Sequence, residues 1–286
     1  MVPVVTDNVW PDGPARSSAF QERISQAPGA EPARNGNLLA FWLKEGVNMR
    51  PADPCYGLFQ EALELARLRP IVAFCFADAT INRDAGMHVR YVGRFERIAL
   101  RQHLPGGCDE RDKEVVHLPQ IVIRIGRRLE AFRDCLFEAV GDAVKRLERR
   151  EAVRPLVGFT GLADALLLLM RTHHGWSQEA QAVGVVIVDL LRRALEDLAA
   201  NGRRYGLLSV LEPLRFSWWR PGCRYGFEAW GVRDPFAKIA SEAPFHRYCD
   251  GGHVTIVRWD RRRPVRDLEE LLLYAREQDA GCVWPC

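Results

Sequence analysis

Two histidines and a cysteine lie close together in the segment Pro244–Asp260, which reads PFHRYCDGGHVTIVRWD. His246, Cys249 and His253 offer nitrogen and sulfur donors of the kind that bind zinc and other transition metals. A metal site is therefore one interpretation of this segment.

Gly251 and Gly252 favour a second interpretation, a loop that leads into a strand. Glycine permits positive φ and close backbone approach, and the residues that follow (HVTIVRW) alternate as a strand does. We expect the glycine pair to line a cavity beside a bound ligand, with His253 as a pocket residue.

Eight cysteines offer nucleophilic or redox chemistry, at positions 55, 75, 108, 135, 223, 249, 282 and 286. Their scattered spacing differs from the dense pattern of a secreted disulfide scaffold. The start of the sequence, MVPVVTDNVWPDGP, lacks the basic and apolar regions of a secretory signal. This predicts a cytoplasmic protein with mostly buried thiols. Cys282 and Cys286 form a CxxxC pair, but a structural zinc site needs four ligands, so we predict no metal.

Gly158 and Gly161 flank a strand-to-helix turn (GFTG) that could present backbone amides to a phosphate. The same glycines also fit a turn that needs them for geometry alone. His173 and His174 are predicted to form a solvated helix end. The motifs GxxxxGK[ST], GxGxxG, GxSxG and HExxH are absent from the sequence, which argues against standard kinase and hydrolase functions.

The composition is that of an ordinary globular protein, with 48% hydrophobic and 27% charged residues. A net charge of +3 comes from 40 basic and 37 acidic side chains without a long basic block, so nucleic acid is not an implied partner. The apolar stretches are too short to span a bilayer, which predicts no membrane segment.

Amphipathic periodicity predicts several helices that position these residues. Three helices are expected at Pro54–Arg69, Leu129–Glu151 and Val265–Asp279, and Pro70 ends the first of them. Another helix is expected to begin at Gly161, and a further long helix is expected to be capped by Ser177. Strands are expected at Ile71–Ala77, Pro155–Thr160, Tyr205–Leu211 and His253–Trp259, and Val115–Ile125 is predicted to be a strand followed by a turn at Pro119.

Alternating strands and helices predict an α/β architecture with strands inside and helices outside, either an open sheet or part of a barrel. The length of 286 residues is compatible with one domain or two. We predict a single α/β domain over residues 1–286, of which residues 1–50 form a loop-rich portion.

Several segments resemble, in order, the anaerobic (class III) ribonucleoside-triphosphate reductases of the glycyl radical enzyme superfamily. The segments are PVVTDNVWPDGP at the start, EVVHLPQIVIR (Glu114–Arg124), RPLVGFTGLADALLLL (Arg154–Leu169), RRYGLLSVLEP (Arg203–Pro213), DGGHVTIVRW and DLEELLLYAREQDAGC. The resemblance implies the later part of a ten-stranded α/β barrel.

In that family a glycyl radical takes a hydrogen atom from a cysteine, and the resulting thiyl radical attacks a bound ribonucleotide. The family segment that carries this cysteine overlays Gly86–Arg90, which places Val89 at the thiol position. Cys75 and Cys108, on either side, are therefore the implied catalytic cysteines. The sequence ends at Cys286, before the family's radical glycine, so the resemblance implies a truncated or split relative. No cofactor is expected in this chain, and the glycyl radical would come from a partner chain.

The resemblance also implies a ribonucleoside triphosphate as substrate. The residues expected to bind it are His117, Gly158, Gly161, Gly251, Gly252 and His253.

Two other functions stay open. One is a non-catalytic nucleotide-binding or interaction protein derived from the barrel, whose exposed strand edges would favour a homo-oligomer or a covering partner. The other is an unrelated α/β enzyme that uses His246, Cys249 and His253 on a metal.

Overall fold

The computed structural model describes residues 37–84, 95–99, 110–126, 129–199, 202–210, 212–213, 223–224 and 226–286. These residues fall within one compact unit, Asn35–Cys286. All structural statements below refer to these ranges.

Strands and helices alternate along the chain, as the sequence predicts. The strands are β1 (Asn37–Leu43), β2 (Val72–Phe76), β3 (Phe95–Ala99), β4 (Lys113–His117), β5 (Leu156–Thr160), β6 (Gly206–Ser209), β7 (Glu212–Pro213), β8 (Cys223–Arg224), β9 (Thr255–Val257) and β10 (Cys282–Pro285). The α-helices are α1 (Tyr56–Leu68), α2 (Thr80–Asp84), α3 (Leu118–Ile125), α4 (Leu129–Arg149), α5 (Leu162–Met170), α6 (Gln178–Leu198), α7 (Pro235–His246) and α8 (Val265–Glu277).

The larger sheet has the strand order β3-β1-β2-β10-β9. Strands β1 and β2 are parallel to each other, as are β9 and β10, whereas β2 and β10 are antiparallel. The seam between β2 and β10 is therefore antiparallel, and the edge strand β3, which is antiparallel to β1, runs in the same direction as β9 and β10. A second sheet, β4-β5-β6, is parallel throughout, and a third consists of the short pair β7-β8.

A single parallel bridge between Leu208 and Gly252 brings the edge of the second sheet against the residues that precede β9. The α/β architecture is thus confirmed, with parallel strands and flanking helices. The described residues do not show a ten-stranded barrel, because their strands are divided among three sheets.

Two apolar cores lie between the sheets and the helices. One joins β4, β5 and β6 to α3, α4, α5 and α6 through residues such as Phe159, Leu162 and Leu191. The other joins β1, β2 and β10 to α1, α7 and α8 through residues such as Phe41 and Phe74. Burial of these apolar side chains is the main favourable contribution to folding.

The amphipathic patterns predicted helices well. The segments Pro54–Arg69, Leu129–Glu151 and Val265–Asp279 contain α1, α4 and α8. Ser177 caps α6 as expected, because its side chain accepts a hydrogen bond from the backbone N–H of Ala180 at 3.3 Å.

The prediction for Val115–Ile125 is wrong after residue 117. Strand β4 ends at His117, and the rest of the segment is helix α3 rather than a turn. Pro119 fits the first turn of this helix because N–H groups there have no acceptor within the helix, so the N–H that proline lacks is not needed. Helix α7 was not predicted at all; it reaches His246 and contains Pro244.

The long helices of the described part are amphipathic rather than uniformly apolar. None of them combines the length and hydropathy needed to cross a membrane.

Candidate functional site

Cys75 on β2 and Cys282 on β10 face each other across the antiparallel seam. Their Cα atoms are register partners, and their Sγ atoms lie 3.0 Å apart. Both residues are buried thiols, with 5% and 4% of their surface exposed. The pair thus unites residues 207 positions apart in the chain.

The hydrogen bonds around the pair define its geometry. The N–H of Phe76, which follows Cys75, donates to the carbonyl of Gly281, which precedes Cys282, at 3.0 Å. This pattern makes Cys75 and Cys282 a non-hydrogen-bonded pair, in which Cα atoms approach to about 4.5 Å and side chains are closest. That separation lies within the range that a disulfide spans. The two thiols are therefore placed to form a disulfide without rearrangement of the strands.

The thiols lie on the face of the sheet opposite to the helices. Their cluster contains only strand residues and residues next to strands in the described part of the chain, among them Ala40, Trp42, Ala73 and Val254. The large residues that alternate with them, such as Phe74 and Phe76, point into the helix-covered core. Trp42 is the register partner of Cys75 on β1, so an indole and two thiols follow one another across the sheet.

A second group of polar atoms lies at the carboxyl ends of β4 and β5. His117 and Thr160 are register partners there. Thr160 is 2% exposed, and its buried hydroxyl oxygen has no hydrogen-bond partner in the part of the chain that the structure describes. An unsatisfied buried hydroxyl costs free energy unless a ligand or water engages it.

Two helices begin at this same edge. Helix α3 starts directly after His117 and α5 directly after Gly161, and no side-chain cap hydrogen bond is present at either start within the described ranges. The N-termini of α3 and α5 are in contact, because a Cβ on Gly161 would lie 2.7 Å from Cγ of Pro119. Gly161 also has a positive φ of 78°, which favours glycine at this position. Helix N-termini carry partial positive charge, so this edge favours an anion.

Gly158 is required where β5 packs against Val210, in the small apolar cluster that also contains Leu156 and Leu208. A Cβ there would lie 2.0 Å from a methyl group of Val210, so a larger residue would displace the chain after β6.

Gly251 and Gly252 connect the two sheets. The N–H of Gly251 donates to Leu207 at 2.8 Å, and the carbonyl of Gly252 accepts from Ser209 at 3.0 Å. A Cβ on Gly251 would lie 2.8 Å from the Leu207 oxygen, and Gly252 has a φ of 135°. The glycine pair thus permits close approach of the turn before β9 to strand β6, in line with the close backbone approach that the sequence predicts, whereas its role toward a ligand stays a prediction.

His253 lies in a buried polar cluster beneath α7. Its Nδ1 is 3.0 Å from the carbonyl of Cys249, and its ring centroid is 4.8 Å from that of His246. Burial lowers the pKa of His253 to about 4, so the ring is neutral near pH 7. The predicted pocket residue therefore contacts the helix-covered interior.

The metal interpretation of His246, Cys249 and His253 is not supported by their contacts. His246 is bonded at both ring nitrogens, to Thr255 Oγ1 and to the N–H of Gly281, each at 2.9 Å. The described residues contain no group of three or more ligating side chains that could hold a metal ion. The expectation for His173 and His174 is wrong, because they are 0% and 3% exposed rather than a solvated helix end.

Cys108 and the segment Gly86–Arg90 lie outside the described residues. Of the two predicted catalytic cysteines, Cys75 is therefore the one whose surroundings are known. Sequence reasoning missed Cys282 as its partner and missed Thr160. The signal for Cys282 was its position at the start of a short apolar run (CVWP) after the last helix.

Comparison with known proteins gives structural matches alone. No protein-family model and no curated protein matches the sequence. A solved anaerobic ribonucleotide reductase matches with 13% identity and a TM-score of 0.60, over 85% of this chain and 44% of that chain. The anaerobic ribonucleotide reductase from Thermotoga maritima, with glycerol in the active site, matches with 12% identity and a TM-score of 0.59, over 85% and 46%.

The alpha subunit of the Actinobacillus ureae class Id ribonucleotide reductase matches with 16% identity and a TM-score of 0.54, over 86% of this chain and 64% of that chain. At these identities the likeness shows a similar fold and nothing more. The chain spans about half the length of the anaerobic reductases that it matches.

Proposed function

We propose that this protein is a ribonucleotide reductase-like oxidoreductase in which Cys75 and Cys282 supply electrons to a bound ribonucleoside triphosphate. The observation that carries the proposal is the thiol pair, with its sulfur atoms 3.0 Å apart on the face of the sheet opposite to the described helices. The similar fold of anaerobic and class I ribonucleotide reductases supports it.

The pair has the chemistry that such a reduction needs. Two thiols oxidised to one disulfide release two electrons and two protons. A ribonucleotide that takes up these two electrons and two protons loses its 2′-hydroxyl as water and becomes a deoxyribonucleotide. Atoms and electrons therefore balance. A reducing compartment such as the cytoplasm would return the disulfide to the dithiol.

The radical that starts the reaction is proposed to come from a partner chain that carries a glycyl radical. Because Cys75 belongs to the dithiol, Cys108 is the remaining predicted carrier of a thiyl radical. We further propose that the strands of this chain are part of a ten-stranded barrel of the glycyl radical enzyme type.

The edge formed by β4 and β5 is proposed to bind the triphosphate. The N-termini of α3 and α5 supply partial positive charge, and Thr160 supplies a hydroxyl donor that has no partner among the described residues. His117 and Gly161 lie at the same edge, whereas Gly158 lies in the middle of β5 against Val210, and their part in binding the triphosphate belongs to the proposal.

Calorimetric titration with the four ribonucleoside triphosphates tests the proposal. We expect saturable binding to the wild type and a loss of affinity of about 10- to 150-fold in Thr160→Val, since one hydrogen bond to a charged group is worth about 1.5–3 kcal/mol. Ser209→Ala is the matched control, because Ser209 on β6 also has a buried hydroxyl oxygen without a partner among the residues described.

Absence of binding by every nucleotide would overturn the proposed function. Equal weakening by Thr160→Val and Ser209→Ala would remove the anion site. Nucleotide binding without any redox chemistry at Cys75 and Cys282 would instead favour a non-catalytic nucleotide-binding protein.

A further inference from the structure

Asn82 bridges the two strands that carry the thiols. Its Nδ2 donates to the carbonyl of Phe76 at 2.9 Å and to the carbonyl of Gly281 at 2.7 Å. Phe76 follows Cys75 and Gly281 precedes Cys282. One side-chain amide thus holds the backbone next to each cysteine.

The position of Asn82 makes this bridge rigid. The residue is 7% exposed and lies on the short helix α2, directly after β2. The start of that helix is tied to the chain before β10, because the N–H of Thr80 donates to the side chain of Asp279 at 2.9 Å. Helix α2 therefore joins the carboxyl end of β2 to the turn that precedes β10.

The chain before Cys282 is held from the other side as well. The N–H of Gly281 donates to Nδ1 of His246 at 2.9 Å. Because Nδ1 accepts, Nε2 carries the proton and donates to Oγ1 of Thr255 on β9. His253 fills the space beside Gly281, where an added Cβ would lie 1.9 Å from its Nε2.

We propose that Asn82 is a positioning residue that sets the thiol–disulfide equilibrium of Cys75 and Cys282. Asn82 fixes β2 against β10 in the register that makes Cys75 and Cys282 a non-hydrogen-bonded pair, and so keeps the two sulfur atoms adjacent. This geometry favours the disulfide once an oxidant removes two electrons and two protons. The inference concerns regulation of the proposed dithiol and in that respect rests on the proposed function.

The test is a redox titration of the full chain in buffers of reduced and oxidised glutathione. Oxidised glutathione accepts the two electrons and two protons and becomes two reduced molecules. The reaction is stopped by alkylation, and the cross-linked peptide containing Cys75 and Cys282 is quantified by mass spectrometry.

We expect Asn82→Asp to lower the equilibrium constant for disulfide formation at least tenfold, which corresponds to about 30 mV for a two-electron couple. The carboxylate removes both donated hydrogen bonds and repels both carbonyl groups. Asn82→Ala, which removes the amide without burying a charge, should shift the equilibrium in the same direction and decides the question if the aspartate variant does not fold.

Asn48→Asp is the matched control. Asn48 is 0% exposed, and its Nδ2 donates to the carbonyl of Trp42 at 3.0 Å, but it does not bridge β2 and β10. We expect its equilibrium constant to stay within twofold of the wild type. The positioning role is overturned if Asn48→Asp shifts the equilibrium as much as the Asn82 variants do, or if neither Asn82 variant shifts it.

This titration needs neither a nucleotide nor a radical partner. A shift in the Asn82 variants together with absent nucleotide binding would overturn the proposed function and support the positioning role. Failure of the wild type to form the disulfide would overturn the positioning role directly.

Discussion

Lys238 and Glu242 form a buried ion pair one turn apart on α7, with Nζ and Oε1 2.8 Å apart and the residues 7% and 0% exposed. Both side chains also bind the backbone of Ala229, whose carbonyl accepts from Lys238 and whose N–H donates to Glu242. The pair therefore attaches the segment before α7 to that helix.

We expect Lys238→Met to lower the free energy of unfolding by about 3–5 kcal/mol, because it leaves a buried carboxylate without its cation. The double variant Lys238→Met/Glu242→Gln should be less destabilised, since the fully buried side chain at position 242 then carries no charge. Urea denaturation measures both. The exposed pair of Arg266 and Glu270 is the control, and Arg266→Ala should cost under about 1 kcal/mol. Equal losses at the buried and exposed pairs would contradict the prediction.

The thiol pair predicts a specific disulfide. Treatment with oxidised glutathione should cross-link Cys75 to Cys282 in the wild type and in the control Cys135→Ser, because Cys135 lies on α4. Neither Cys75→Ser nor Cys282→Ser should form the cross-link. Peptide mass spectrometry after alkylation detects it, and a cross-link that joins Cys75 to another cysteine would show that the seam is not the preferred site.

Gly281→Ala should destabilise the protein by about 1–3 kcal/mol, because the new methyl group would overlap the ring of His253. Gly141→Ala on α4 is the control, since nothing lies within 4 Å of the added Cβ and alanine favours a helix. Thermal denaturation should show a lower midpoint for the first variant and an equal or higher one for the second. An unchanged midpoint in Gly281→Ala would mean that His253 can move aside.

Two buried histidines predict how stability depends on pH. Burial lowers the pKa of His253 to about 4 and that of His174 to about 3. An unfolded histidine has a pKa of about 6.5, so below that pH the unfolded chain binds protons that the folded chain does not. The free energy of unfolding should therefore be highest above pH 6.5 and fall toward pH 4, by up to about 1.4 kcal/mol per pH unit for each histidine.

Urea denaturation at several pH values between neutrality and pH 4.5 measures this slope. His174→Phe should reduce the slope by the contribution of one proton, which is up to about 1.4 kcal/mol per pH unit. This change in slope is expected whatever the effect of the variant on stability at neutral pH. Stability that is constant or increases toward acid would contradict the assignment of these histidines as buried and neutral.

Local patterns in the sequence predicted most helices that support the site. The apolar positions of Leu129–Glu151 and Val265–Asp279 recur at helical spacing, and Ser177 is of a residue type that commonly caps the N-terminus of a helix. Such signals depend on residues a few positions apart, so they can be found without knowledge of the fold. Val115–Ile125 misled the prediction because a short apolar run suits a buried strand and a buried helix equally well.

The alternation of strands and helices, the α/β class and the glycines where backbones approach closely can all be predicted from local patterns of residues. Only the tertiary structure placed Cys75 against Cys282, Asn82 across both strands and Thr160 beside two helix N-termini. The reason is that strand register joins residues far apart in the chain, and a shift of one residue turns every side chain to the other face of the sheet. No local spacing encodes that choice, whereas the packing of the two helix-covered cores fixes it.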